Sequence, residues 1–504
     1  MVAHINTVTF HGIEVVDVNV QVHFSPGMPA FSLVGLPDKT IAESRERIRA
    51  SLHSIGLMLP SQRIIVNLSP ADLIKEGSHF DLPIAIGILI NMGVLKAEET
   101  KDYLILGELA LDGSLMGVNG ILPAAIGANE RNYGIICPEK NGPEAAWSAN
   151  SNIVAASNLV QLINHLKGRQ CLAPPKIIKD QTPFSHSLDL KDIKGQETAK
   201  RALEIAASGG HNMLMSGPPG AGKSMLASRM ASILPDMTSS EILECSMVAS
   251  IAGEITDGNL RIIRPFRAPH HSCSMPAMVG GGANKRVMPG EISLAHNGIL
   301  FLDELPEFPR IVIDSLRHPL EEGKVNISRA NYHVTYPAKF QLIAAMNPCR
   351  CGFLGDAERQ CNKAPRCGTD YQSKISGPFF DRIDIYLEVN TSSISEIINS
   401  TESESSQIVA QRVQKARNLQ AKRYKHCGIK NNSELNNNLI KEFAEPTLEA
   451  KLLLNDAAEK IKLSMRGYNR ILKLARSIAD LAEEEKINKT QIAEALNYRK
   501  QYYK

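Results

Sequence analysis

"MSGPPGAGKS", Met215 to Ser224, is the stretch whose reading decides the fold. It fits G-x-x-x-x-G-K-[ST]: Gly217 opens the turn, Pro218, Pro219, Gly220 and Ala221 form the loop, and Gly222 lets backbone amides approach phosphates. Lys223 is then placed to reach the terminal phosphates and Ser224 to hold magnesium. The flanks agree with a strand–loop–helix unit. "HNMLM" before the loop is a short apolar strand, and "MLASRMASIL" after it carries apolar residues at helical spacing. The implied cofactors are ATP and Mg2+.

A phosphate loop alone hydrolyses nothing, because magnesium and an attacking water must also be placed. "GILFLDEL" supplies the second part: Ile299 to Leu302 read as a buried strand whose end presents Asp303 to magnesium and Glu304 to water as a general base. "FQLIAAMNPC" is another buried strand, ending in Asn347, a side chain able to orient water between the two. Alternating strands and helices over residues 190 to about 390 predict an α/β fold, a parallel sheet with helices on both faces.

Composition sets the wider frame. The 504 residues suggest roughly three domains. A net charge of +3 excludes a globally basic nucleic-acid coat, so any DNA contact must be local. No apolar run is long enough to cross a bilayer, and "MVAHINTVTFHGIEVVDVNV" alternates like a strand, which predicts no membrane partner and a cytoplasmic protein. The expected divisions are an α+β region over 1–170, a proline-bearing linker over 171–188, an ATPase core over 189–390 and a helical region over 391–504. Within the first, Ile41, Ile48, Leu52 and Ile55 predict a helix from Lys39 to Gly56.

Several cationic elements are candidates for contact with a polyanion. Glycines flank Lys285 and Arg286 in the insertion from about Ser246 to Gly290, making either a gripping loop or a plain surface loop. Val325 to Ser328 and His333 to Tyr336 alternate as hairpin strands around a turn from Arg329 to Tyr332, with Lys324 and Arg329 as the cationic members. "SSQIVAQRVQKARNLQAKRYKH" is a helix with Arg412, Lys415, Arg417, Lys422, Arg423 and Lys425 and no acid; it reads as a nucleic-acid face or a solvated one. His270 and His271 lack a third ligand at metal spacing. Cys349, Cys351, Cys361 and Cys367 form a candidate Zn2+ site in one glycine- and proline-bearing loop. Cys137, Cys171, Cys245, Cys273 and Cys427 are scattered and predicted to be buried thiols.

A family resemblance rests on longer stretches. "AAMNP" resembles the sensor-1 element of AAA+ ATPases, "SGPFFDRIDIYLEV" the segment carrying their arginine finger, and "LSMRGYNRILKLARSIADL" their sensor-2 helix. Together with "DIKGQETAKRALEIAASGGHNMLMSGPPGAGKS", "RPFRAPHHS", "VGGG" and "PGEISLAHNGILFLDELPEF", they resemble the magnesium-chelatase-like branch of AAA+ proteins, of the bacterial ComM or YifB type, across essentially the whole chain. The resemblance implies an ATP hydrolase with a helical lid. Arg382 is its finger acting on a neighbour's nucleotide, Arg466 its phosphate contact with Arg470 as second choice, and Gly195 and Gln196 lie at the adenine. It further implies a homo-oligomeric ring, a hexamer, driving helicase or branch-migration movement on single-stranded or branched DNA in homologous recombination during natural transformation. The hairpin would point into the central pore. The alternatives are a chelatase-like ATPase remodelling a protein partner, and a scaffold without translocation. The family's cysteine cluster has its second pair closer together: Lys363 stands where its last cysteine is expected, leaving Cys367 as the fourth candidate. "NLSPADLIKEGSHFDLPIAIGIL" and the glycine-rich stretch after it resemble the proteolytic domain of Lon, but Ser78 falls early and Ala124 sits near the lysine position, which implies that fold without its serine–lysine chemistry.

Overall fold

The computed structural model describes residues 2–177, 188–282, 287–329, 332–354, 363–390 and 403–499. The serine-rich connection at 391–402, most of the linker, Lys285, Arg286, Cys361 and the hairpin's two turn residues lie outside the described residues.

The opening alternation becomes the antiparallel pair Val2–His11 and Glu14–Ser25, extended by Arg63–Ser69 and, parallel to it, Ala30–Val34. Alternate residues such as Ile5, Val18, Val20, Val22, Val66 and Leu68 are buried against the helix Asp81–Asn91. That helix has no polar face because ten of its eleven residues are buried. Its one buried charge, Asp81, accepts from Arg47 Nε at 2.6 Å and from the Ser44 hydroxyl. Lys39–Ser54 forms the predicted helix, capped by Asp38 and terminated at Gly56 (φ +80°), where a left-handed turn favours glycine. A second, parallel sheet orders Tyr103–Ile105, Gly134–Pro138 and Ile153–Ala156.

The phosphate-loop strand Met213–Ser216 is the fourth strand of a five-stranded parallel sheet ordered Phe266–Arg267, Ile299–Leu302, Gln341–Met346, Met213–Ser216, Ile385–Glu388. Both strand-end motifs therefore open on the same edge, with the Asn347 strand between them. All six residues of Gln341–Met346 and all four of Ile299–Leu302 are buried, as a strand covered on both faces requires. After the loop, Lys223–Arg229 is α-helical and then tightens to a 3-10 turn over Met230–Ile233.

The first region docks on the helix Ser239–Ala252. Ser250 Oγ donates to Glu144 at 2.5 Å, Gly120 N donates to Ser250 O at 3.1 Å, and Trp147 Nε1 reaches Gly258 O at 3.0 Å. Burial raises the pKa of Glu144, opposed by its hydrogen bonds from Ser250, Leu122 and Asn141.

Beyond residue 403 the described chain is helical, with long segments at Ser406–Arg423, Leu448–Lys460 and Met465–Leu481. None of the described helices is long and apolar enough to cross a membrane. In the basic helix Ser406–Arg423 the arginines Arg412, Arg417 and Arg423 are spent inside the chain, while Lys415 and Lys422 are exposed. Arg412 pairs with Glu204 and Glu404, Arg417 donates to Ala207 O, Lys415 faces Glu483 and Arg423 pairs with Asp480. Burial pushes the Arg417 guanidinium down to about 10. Asp480 accepts from Arg423, Arg476 and Asn432 and is 1% exposed. Asp480→Ala would strand two arginines, and we expect a loss of about 3–5 kcal/mol, read as a lowered urea midpoint.

Candidate nucleotide site

The loop is shaped by glycines at defined points. Gly220 (φ +79°) and Gly222 (φ +84°) are left-handed, and a Cβ on Gly220 would meet nothing within 4 Å, which leaves open space over the loop. Gly217 runs against the carbonyl of Val389, an approach that leaves no room for a side chain. Lys223 Nζ donates to Gly217 O at 2.7 Å, Pro218 O at 2.9 Å and Asn347 Oδ1 at 3.1 Å. Burial lowers the Lys223 pKa, opposed by the charges of Asp303 and Glu304. Ser224 Oγ donates to Asp303 Oδ2 at 2.6 Å, and Asp303 Oδ1 accepts from Glu304 N at 2.9 Å. Lys223, Ser224, Asp303 and Asn347 are thus brought together from three neighbouring strands.

These residues fit the groups that the motifs call for. A hydroxyl and a carboxylate in contact are hard oxygen donors suited to magnesium, and the open arc over Gly220 can take phosphates. Gly195 and Gln196 are consecutive left-handed residues before the helix Glu197–Gly209. Gln196 Nε2 donates to Ala221 O at 2.8 Å, while its buried Oε1 has no partner. That orphaned acceptor beside the loop suits a ligand with an N–H donor.

Glu304 sits in the left-handed region (φ +51°), half exposed, at the strand end. His271 Nδ1 lies 3.5 Å from its Oε2, a contact that sequence reasoning missed. The available signal was the position of "APHH" directly after Phe266–Arg267, the strand that pairs with Ile299–Leu302.

Arg382 and Arg466 are not brought to this loop. Together with Arg470 and Lys473 they line a cavity of about 1080 Å3 whose walls contain none of the phosphate-loop residues, nor Asp303, Glu304 or Asn347. Arg382 pairs with Glu321 and donates to Pro378 O at 3.0 Å, and its buried Nε lacks a partner. The neighbouring acids are committed elsewhere, Asp381 to Arg470 at 3.5 Å and Asp384 to His211 at 3.3 Å.

The hairpin forms with longer strands than expected, Lys324–Arg329 against Tyr332–Pro337. Lys324 pairs with Pro337 at its base and Arg329 with Tyr332 beside the turn, so the two cations stand at opposite ends. Among the cysteines, Cys349 is buried with its Sγ 3.1 Å from that of exposed Cys351, and Cys367 is half-buried. The described residues hold no group of three or more His, Cys, Asp or Glu arranged for a metal, so the zinc expectation finds no support among them. Of the scattered thiols only Cys137 and Cys245 are buried, burial pushing Cys245 up to about 12, whereas Cys171 is exposed. In the first region, Ser78 donates to Glu108 and the buried Lys75 ammonium donates to the carbonyls of Pro70 and Leu73.

A phosphate loop and an acidic pair at strand ends on one edge of a parallel sheet, with the Asn347 strand between them, define a P-loop ATPase of the AAA+ class. Family profiles match along the chain: "Magnesium chelatase, subunit ChlI" over 189–397, "Subunit ChlI of Mg-chelatase" over 20–141 and "Magnesium chelatase, subunit ChlI C-terminal" over 403–499. The chain belongs to the magnesium-chelatase-like AAA+ family of the ComM/YifB type. It is 45% identical over 495 residues to competence protein ComM of Haemophilus influenzae, covering 97% of this chain and 95% of that protein. It is 41% identical over 490 residues to the uncharacterized protein YifB of Escherichia coli, again covering 97% and 95%. A shorter similarity, 29% over 178 residues, covering 31% of this chain and 32% of that protein, links it to Lon protease 2 of Bacillus subtilis.

Proposed function

We propose that the chain is a ring-forming ATPase motor that moves on DNA, with helicase or branch-migration activity in recombination of incoming DNA. The observation that carries the shared-pocket part is the place of Arg382, whose carbonyl is bonded to Asn212 at the end of Met213–Ser216 opposite the phosphate loop, and which shares with Arg466 a cavity that the loop does not line. Cations needed at a transferring phosphate but built elsewhere act on a neighbour's nucleotide, which makes a ring, a hexamer by the family resemblance, the working unit. In each pocket Lys223 binds the terminal phosphates, Ser224 and Asp303 hold magnesium, Asn347 orients the water and Glu304 takes its proton. Magnesium, when bound, neutralises charge on the phosphates. Gly195 and Gln196 border the base.

DNA as the polyanion is favoured by the hairpin, which carries Arg329 beside its turn, and by the likeness to a competence protein. The first region acts without proteolysis, since Ser78 is bound to a carboxylate and the Lys75 ammonium is occupied by carbonyls. The test is ATP turnover with and without forked or three-way DNA, followed by strand displacement, with Glu304→Gln as control. We expect DNA to raise turnover and the wild type alone to move strands. Stimulation by a protein partner and not by DNA would instead support a chelatase-like remodelling role.

A further inference from the structure

The segment carrying Arg382 is held by its own chain at nearly every residue. Asn212, immediately before the phosphate-loop strand, donates from Nδ2 to Arg382 O at 3.0 Å and accepts at Oδ1 from Leu342 N at 2.8 Å. Its backbone carbonyl accepts from Asp384 N at 2.9 Å and Ile385 N at 3.0 Å, and its backbone N donates to Asp384 Oδ2 at 3.3 Å. The preceding His211, fully buried, lies between Asp384 and Ser477 Oγ, the latter at 2.7 Å, on the helix Met465–Leu481. From that same helix Arg470 donates to Ile383 O at 3.1 Å and faces Asp381.

Asn212 therefore joins three parts of the chain. One is the four-residue strand ending at the phosphate loop, another the strand ending at Asn347, and the third the backbone of Arg382. Met213–Ser216 is paired on both sides, with residues 343–346 and 385–388. An extended strand bonded on both edges is stiff along its length, which gives a displacement of the phosphate loop a route to Asn212.

We propose that Asn212 is a positioning residue that ties the placement of Arg382 to the nucleotide state of its own copy, with Arg470 completing the clamp from the lid side. The proposal rests on the reading that Arg382 serves a neighbouring copy, and it goes beyond it. Each copy would present its finger according to what its own pocket holds. Arg470 is thereby assigned to holding the finger segment, where the sequence had offered it as a second choice for phosphate contact.

The experiment mixes variants within one assembly and measures ATP turnover. Arg382→Ala lacks the finger and keeps its pocket; Glu304→Gln keeps the finger and lacks the base. Alone, Asn212→Ala should lower turnover about 100-fold, as a misplaced catalytic group does, with KM for ATP within about twofold of wild type. Mixed one to one with Glu304→Gln it should regain activity, because about a quarter of random junctions then join a sound finger to a sound pocket. The same recovery is expected for Arg382→Ala with Glu304→Gln, and none for Asn212→Ala with Arg382→Ala. Recovery in that last mixture and not in the first would place the defect of Asn212→Ala in its own pocket and overturn the proposal. Failure of Arg382→Ala with Glu304→Gln to recover would count against the shared-pocket reading itself. Nucleotide binding and thermal unfolding report whether Asn212→Ala is folded. If it is not, Arg470→Met, which removes the opposite side of the clamp with an apolar side chain of similar length, should give the same recovery with Glu304→Gln; no recovery, or recovery with Arg382→Ala instead, overturns the proposal.

Discussion

Glu304→Gln lowers ATP turnover by about 10^2–10^4-fold while ATP still binds, the range by which a positioned general base accelerates proton transfer. The expectation follows from how the residue is held. Glu304 follows Asp303 at the end of a fully buried strand, in the left-handed region, with a half-exposed carboxylate 3.5 Å from His271 Nδ1 and no bond to the Asp303–Ser224 pair. An amide keeps the size and loses the proton acceptor. The groups expected to bind the nucleotide, Lys223, Ser224, Asp303 and Asn347, bond to one another and to the loop without involving the Glu304 side chain, so affinity should be preserved. Fluorescent-nucleotide binding and phosphate release, measured on the same preparation, separate the two effects. Undiminished turnover in Glu304→Gln would remove Glu304 from this role, and loss of binding would show that its charge holds the pocket together instead.

Much of this pocket is legible in the amino-acid sequence because it is local. A phosphate loop needs glycines at fixed offsets and a short apolar strand ahead of it, and Asp303 and Asn347 announce themselves as polar residues ending four- and six-residue buried strands. The helix at Lys39–Ser54 and the hairpin at 324–337 are likewise visible as periodicity. What stays hidden is pairing across the chain. Nothing in "QRVQKARNLQAKR" reveals that Glu204, Glu404, Glu483 and Asp480 wait on other elements to pair with its cations. His271 is related to Glu304 only through the strand Phe266–Arg267, which lies beside Ile299–Leu302. The partner of Arg382 is hidden for the same reason. Its sequence neighbours Asp381 and Asp384 are the obvious acids, yet they are engaged by Arg470 of the helix Met465–Leu481 and by His211, and Glu321 from a distant helix takes their place.

Arg382→Ala should lower turnover by about 10^3–10^5-fold in assembled material, the worth of an arginine supplied to the transferring phosphate by a neighbour. In one chain this guanidinium pairs with Glu321, which is half exposed, while its buried Nε has no acceptor. The Arg382 side chain itself is only 12% exposed, so the pair is partly buried, and an orphaned buried donor costs about 1–3 kcal/mol. The orphaned Nε leaves Arg382 a donor that a phosphate replacing Glu321 would satisfy. Because its backbone is fixed by Asn212 and its flanks by Arg470 and His211, the exchange needs only side-chain rotation. Glu321→Gln separates the two engagements: it weakens the pair within the chain and should leave turnover in the assembly near wild type, whereas Arg382→Ala abolishes the phosphate contact. Sedimentation with ATP present establishes that the Arg382→Ala protein still assembles, after which phosphate release is compared at saturating ATP. Wild-type turnover by assembled Arg382→Ala would reduce Arg382 to a partner of Glu321 and leave the shared pocket without its finger.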